Sequence, residues 1–176
     1  MALILAIWGA EKTGKTTLAL TFPRPLVHFD LDVGGFSRAA WRFKDLTGIT
    51  SKSYPTPMQL EKLMGIKKEG VTLRIPKKVV GVKELWQEII TDFVAACQDK
   101  EVQTIVIDSA TQLWNNCHRS YLQELQEKQM AQGLQEKDWR SQLLSIEYGE
   151  PNDRMKSVIF TARSFGKSLI LTHYPK

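Results

Sequence analysis

The chain has 176 residues, 43% hydrophobic and 24% charged, with a net charge of +5. This is ordinary composition for a soluble globular protein, and no apolar run approaches the ~20 residues of a membrane helix, which argues against a membrane partner. The two cysteines, Cys97 and Cys117, have no paired spacing, which argues against a disulfide framework or a cysteine metal site and for a reducing cytoplasm.

Leu3 to Trp8 is apolar throughout and reads as a parallel strand buried on both faces. No basic region precedes it, so it is a core strand and not a signal peptide. It runs into Gly9-Ala10-Glu11-Lys12-Thr13-Gly14-Lys15-Thr16-Thr17, the spacing G-x-x-x-x-G-K-[ST]. Glycines at both ends let the backbone curl its N–H groups toward phosphate oxygens, and a helix starting there turns its positive end to the same point. Lys15 can then reach the β- and γ-phosphates, and the Thr16 hydroxyl can ligate Mg²⁺. A short helix follows over Thr16–Phe22, stopped by Pro23 and Pro25. Leu26 to Leu31 reads as the second strand, ending in Asp30-Leu31-Asp32-Val33-Gly34-Gly35. Carboxylates at the C-terminal end of a strand lie where open α/β sheets keep their chemistry. Asp32 is the candidate general base, with the capping of the turn at Gly34 as its structural alternative. Asp30 is the fallback, on the same face but further from the tip.

Phe36 to Phe43 fits a short helix or an irregular crossing. Ile49 to Tyr54 reads as a strand, Met58 to Met64 as a short helix, and Gly65 to Gly81 as a hairpin or long loop. Residues 48–83 together read as a basic insertion or hairpin within the domain. From Lys62 to Lys83 there are seven basic side chains against one acid, so the basicity of the chain is local. Lys67, Lys68, Arg74, Lys77 and Lys78 form a candidate phosphate-backbone patch, with a solvated lysine-rich face as the alternative.

Leu85, Trp86, Ile89, Ile90, Phe93, Val94 and Cys97 then repeat at helical spacing. Thr104-Ile105-Val106-Ile107-Asp108 is a buried strand that carries one carboxylate to its tip, where Asp108 can hold Mg²⁺ beside the phosphate loop. A long amphipathic helix is expected from Thr111 to about Met130, a short amphipathic piece over Asp138–Ile146, and a final helix opening at Pro151 and ending at Gly166. Ser168 to Thr172 is the last strand, with His173 at its exit. His28 and His118 have no supporting context, and Trp139, among charged neighbours, fits either core or base stacking. Strands alternating with helices argue one α/β domain, three layers deep, around a mainly parallel sheet.

Several of these stretches together resemble the RecA/RadA-like P-loop ATPases. The loop Gly9–Thr17 is similar to that family's form, including the acid at its third position. Phe29-Asp30-Leu31-Asp32 resembles the strand carrying its catalytic carboxylate. Ile105-Val106-Ile107-Asp108-Ser109 resembles its metal strand, and Leu169-Ile170-Leu171-Thr172-His173 its sensor strand. The run Tyr148–Met155 and the short helix after the loop look most like small phage-encoded members, some of which act in recombination and single-strand annealing.

The resemblance implies a RecA-like core, ATP and Mg²⁺ as ligands, and ATP hydrolysis. It implies Lys15, Asp32, Asp108 and His173 as the catalytic set. It also implies single-stranded DNA, further copies of the chain and a single-strand-binding protein as partners, in the cytoplasm of a bacterial host. It places the last strand between the first strand and the metal strand, bringing His173 beside the γ-phosphate. Two departures stand out. Asp32 is shorter than the family's usual glutamate, and the sequence stops where that family continues into a DNA-binding loop, as expected of a truncated or minimal member.

Three other functions are weighed against this one. A GTPase switch fails because Asp32-Val33-Gly34-Gly35 follows Lys15 too closely and no N-K-x-D motif is present. A small-molecule or nucleoside kinase needs a lid of arginines, and only Arg154 and Arg163 offer themselves. A nucleotide-binding assembly module with little hydrolysis stays open through the short Asp32.

Overall fold

The computed structural model describes residues 2–57, 67–68, 71–72, 78–135 and 138–175. Five strands, β1 (Ile4–Trp8), β2 (Leu26–Asp30), β3 (Ile49–Ser53), β6 (Thr104–Asp108) and β7 (Ser168–His173), form one sheet. Their order is β1-β7-β6-β2-β3, and every pair is parallel. The last strand therefore lies between the first and the strand of Asp108, as the resemblance implies. The three-layer α/β class read from the alternation of elements is the fold observed.

Side-chain alternation assigns the two layers. On β6, Ile105 and Ile107 face a core shared with Phe29, Phe93, Leu113 and Leu169, and Val106 faces the other with Ala19, Leu20, Leu26 and Ile170. The first layer is covered by α3 (Val82–Gln98), α4 (Ala110–Ala131) and α5 (Gly149–Ser164); the second by the short helices α1 (Lys15–Ala19) and α2 (Gly35–Ala40). α3 carries the predicted apolar stripe, with Leu85, Trp86, Ile89, Phe93 and Cys97 all buried. The segment over Phe36–Phe43 resolves as α2, ending at Ala40.

Two expectations change. β1 pairs only with β7 among the described residues, so it is an edge strand, and Trp8 is 64% exposed. An apolar run cannot by itself distinguish a central strand from an edge strand with one open face. Residues 139–144 form neither helix nor strand, and a 3₁₀ turn follows at Ser145–Tyr148 in place of the expected amphipathic piece. Bonds to α4 hold this stretch instead: Gln126 Nε2 donates to the Arg140 carbonyl at 2.6 Å, and Arg140 N donates to Gln129 Oε1 at 3.2 Å. Trp139, 8% exposed, belongs to the core, and its indole N–H donates to the Leu134 carbonyl at 2.9 Å. In the basic stretch, β4 (Lys67–Lys68) and β5 (Val71–Thr72) pair antiparallel, as a hairpin requires. The helix expected over Met58–Met64 lies outside the described residues. No helix among the described residues is long and apolar enough to cross a membrane.

Candidate functional site at the phosphate loop

The loop between β1 and α1 is shaped locally. Gly14 holds φ +89° and ψ 13° directly before α1, a left-handed conformation that costs an L side chain about 1–2 kcal/mol. Thr13 Oγ1 pins the turn by donating to the Ala10 carbonyl at 2.8 Å. Lys15 is buried, and its ammonium donates to the carbonyls of Gly9 at 2.8 Å and Ala10 at 2.7 Å. Glu11, Lys12, Thr13, Gly14, Lys15, Thr16 and Thr17 all line one cleft, with a volume of about 710 Å³. Of the stretch Gly9–Thr17 expected to bind nucleotide, residues 11–17 line this cleft, while Gly9 and Ala10 give their carbonyls to Lys15.

Asp108 stands across from it at the tip of β6, 2% exposed. Thr16 Oγ1 donates to its Oδ2 at 2.5 Å, and the Thr172 hydroxyl donates to its Oδ1. Below it, His28 Nε2 lies 3.5 Å from Oδ2, and His28 Nδ1 meets Ser51 Oγ at 2.9 Å. Burial disfavours the charge on Asp108, but His28, Thr16 and Thr172 outweigh it and hold the carboxyl below the usual carboxylate value. An ionised carboxylate bonded to a threonine hydroxyl is a pair of hard oxygen donors of the kind Mg²⁺ takes. No group of three or more His, Cys, Asp or Glu side chains among the described residues could hold a metal. Here, Mg²⁺ would draw Thr16 and Asp108 from the protein, and phosphate and water for the rest.

The two carboxylates of the second strand take separate parts. Asp30 is 1% exposed, and its Oδ2 accepts the N–H groups of Gly34 at 3.0 Å and Phe36 at 3.3 Å. It therefore performs the turn-capping that is the structural alternative for Asp32. The turn brings Gly35 so close that a Cβ there would lie 3.1 Å from Asp108 Oδ2 and 3.4 Å from Asp30 Oδ1. Asp32 lies beyond the strand end and lines the cleft. Its carboxylate accepts from Ser109 Oγ at 3.3 Å and from the Tyr174 hydroxyl. Burial holds its carboxyl above the usual value, aided by the charges of Asp108 and Asp30 and opposed by those hydrogen bonds.

Alternation settles the exit of β7. Thr172 faces Asp108, so His173 points to the opposite face, where its ring stacks on Trp8 with centroids 4.3 Å apart. The expectation that His173 stands beside the γ-phosphate is therefore not what the geometry places there: His173 does not line the cleft, and Tyr174 does. The Tyr174 ring lies under the Lys15 ammonium, 4.3 Å from it. The third wall belongs to α2 and its C-terminal end, with Arg38, Trp41 and Arg42, and Gln112 adds to the lining from α4.

Thr172, Tyr174, His28, Arg38 and Arg42 are residues of the site to which the sequence reading gave no role of their own. A threonine directly after the apolar run Leu169-Ile170-Leu171, and a histidine two positions before Asp30 on the same strand face, were the available signals. Of the basic patch, Lys78 is exposed, while Arg74, Lys77 and the side chains of Lys67 and Lys68 lie outside the described residues.

A search of the curated proteins finds no match to this sequence. A family model described as an AAA domain matches residues 1–175. On that match the chain belongs to the AAA domain family of P-loop proteins, whose common activities are nucleotide binding and ATP hydrolysis.

Proposed function

We propose that this chain binds ATP with Mg²⁺ in the cleft above Gly14 and hydrolyses it, as a RecA/RadA-like ATPase of the phage type that acts on single-stranded DNA. The observation that carries the ATPase reading is the bond between Thr16 and Asp108, which joins the phosphate loop to the tip of a strand two places away in the sheet. The amides of the loop and the N-terminus of α1 cradle the phosphates. Lys15 leaves its two carbonyl partners for the β- and γ-phosphates, and Asp32 accepts a proton from the attacking water. Thr16 and Asp108 would hold Mg²⁺, which would supply neutralisation of the phosphate charge. The DNA reading is supported by the basic run Lys62–Lys83 and by the resemblance of the motifs. In this reading residues 1–176 are one ATPase core, 48–83 is its basic excursion, and copies of the chain assemble on the strand.

The experiment is Lys15→Ala in the full chain. Phosphate release and nucleotide binding should fall to background; an unchanged rate removes the central assignment. A second reading, phosphoryl transfer to a small acceptor, is favoured by Arg38 and Arg42 in the cleft wall, where two guanidiniums could clamp a transferred phosphate. Turnover that requires an added acceptor would select it. Turnover raised by single-stranded DNA would select the first.

A further inference from the structure

The Lys15 ammonium is engaged by three different groups. Two are the carbonyls of Gly9 and Ala10, and the third is the ring face of Tyr174, 4.3 Å away. The same tyrosine donates its hydroxyl to Asp32, and its backbone N–H is held by Thr111 Oγ1 at 3.3 Å. One side chain therefore engages both the lysine that must grip phosphate and the carboxylate that must accept a proton. It does so from inside the cleft that both of them line.

We propose that Tyr174 is a latch on this cleft, holding Lys15 through its ring and Asp32 through its hydroxyl until a triphosphate displaces it. The inference rests on the nucleotide reading of the cleft. It differs from a sensing role in sign, because a group that touches the nucleotide strengthens binding, whereas a latch competes with it. A triphosphate needs the Lys15 ammonium, and the ring covers one side of that ammonium inside the cleft. Freeing Lys15 lets the ring swing out and releases the Asp32 carboxylate in the same movement.

The test uses the 176-residue chain, ATP with magnesium, and the variants Tyr174→Phe and Tyr174→Ala. Tyr174→Ala should bind ATP roughly three- to thirtyfold more tightly than the parent chain, the range expected for removing a partly shielded cation–π interaction and a hydroxyl–carboxylate bond. Tyr174→Phe keeps the ring and should fall between the two. In the parent chain, nitration of Tyr174, read by mass spectrometry, should rise when ATP is added, a readout that needs no turnover and no variant. Unchanged or weaker binding by Tyr174→Ala overturns the latch, the latter by making Tyr174 a nucleotide ligand. Nitration that stays level or falls overturns it as well. If the parent chain binds no ATP, or binds it as well with Lys15→Ala, the nucleotide reading fails first and the latch falls with it, so the two failures are told apart.

Discussion

Replacing Asp32 with asparagine, alongside matched changes at Asp30, separates chemistry from architecture within three residues of one strand end. Asp32 lines the cleft, and burial works against its charge, so asparagine removes an unfavourable ionisation while its amide oxygen still accepts from Tyr174. Stability should change by no more than about 1 kcal/mol, and ATP should still bind. Turnover should fall by about 10²- to 10⁴-fold, the usual worth of a positioned general base. Asp30 should behave in the opposite way. Its buried Oδ2 holds the N–H groups of Gly34 and Phe36, both residues half-buried, and Asp30→Ala leaves both without that acceptor. An unsatisfied buried group costs about 1–3 kcal/mol; water can reach these half-buried amides, so the loss should be about 1–3 kcal/mol in all, while Asp30→Asn, which keeps an acceptor, should cost much less. Phosphate release at saturating ATP and magnesium, nucleotide titration and urea unfolding are the three assays. Turnover of Asp32→Asn within about threefold of the parent chain would refute the assignment. So would a deep loss in Asp30→Asn with normal folding, which would move the base to the inner carboxylate.

Thr172→Val removes a buried donor to Asp108 without changing shape, and should lower stability at neutral pH by about 1–3 kcal/mol. Because the folded-state carboxyl of Asp108 is held below its usual value, the stability it confers is present above the ordinary carboxylate range and is lost as pH falls through the depressed value. The gap between Thr172→Val and the parent chain should therefore narrow in acid, and equal gaps at neutral and acid pH in urea unfolding would contradict this. Both cysteines are buried and free, with burial pushing Cys97 up to about 11 and Cys117 up to about 12, so thiol labelling should track global unfolding. Rapid labelling under native conditions would show that the core around them opens. Neutralising Lys67, Lys68, Lys77 and Lys78 together should weaken single-stranded DNA binding and lower its salt slope by roughly 0.7 for each phosphate no longer neutralised. An unchanged slope would leave the basic run as a solvated face.

What the sequence determined by itself was whatever depends on neighbours along the chain. The curl of Gly9–Thr16 is set by glycine spacing and by the helix that starts at Lys15, so its side chains could be assigned before any fold was known. Consecutive β-branched residues ending in Asp108 identified a buried strand with a carboxylate at its tip for the same reason. Tertiary structure decided the questions in which two residues of like character compete for one place. Alternation alone would put Asp30 and Asp32 on one face, and only the return of α2, which presses Gly35 against Asp30 and Asp108, makes one a cap and leaves the other in the cleft beyond the strand end. His173 and Tyr174 sit side by side at a strand exit, and only the packing of Thr172 on Asp108 fixes which of them faces the phosphate loop. Periodicity supplies the spacing of side chains along a strand, but the phase of that period is set by what packs against it, and those partners lie many tens of residues away.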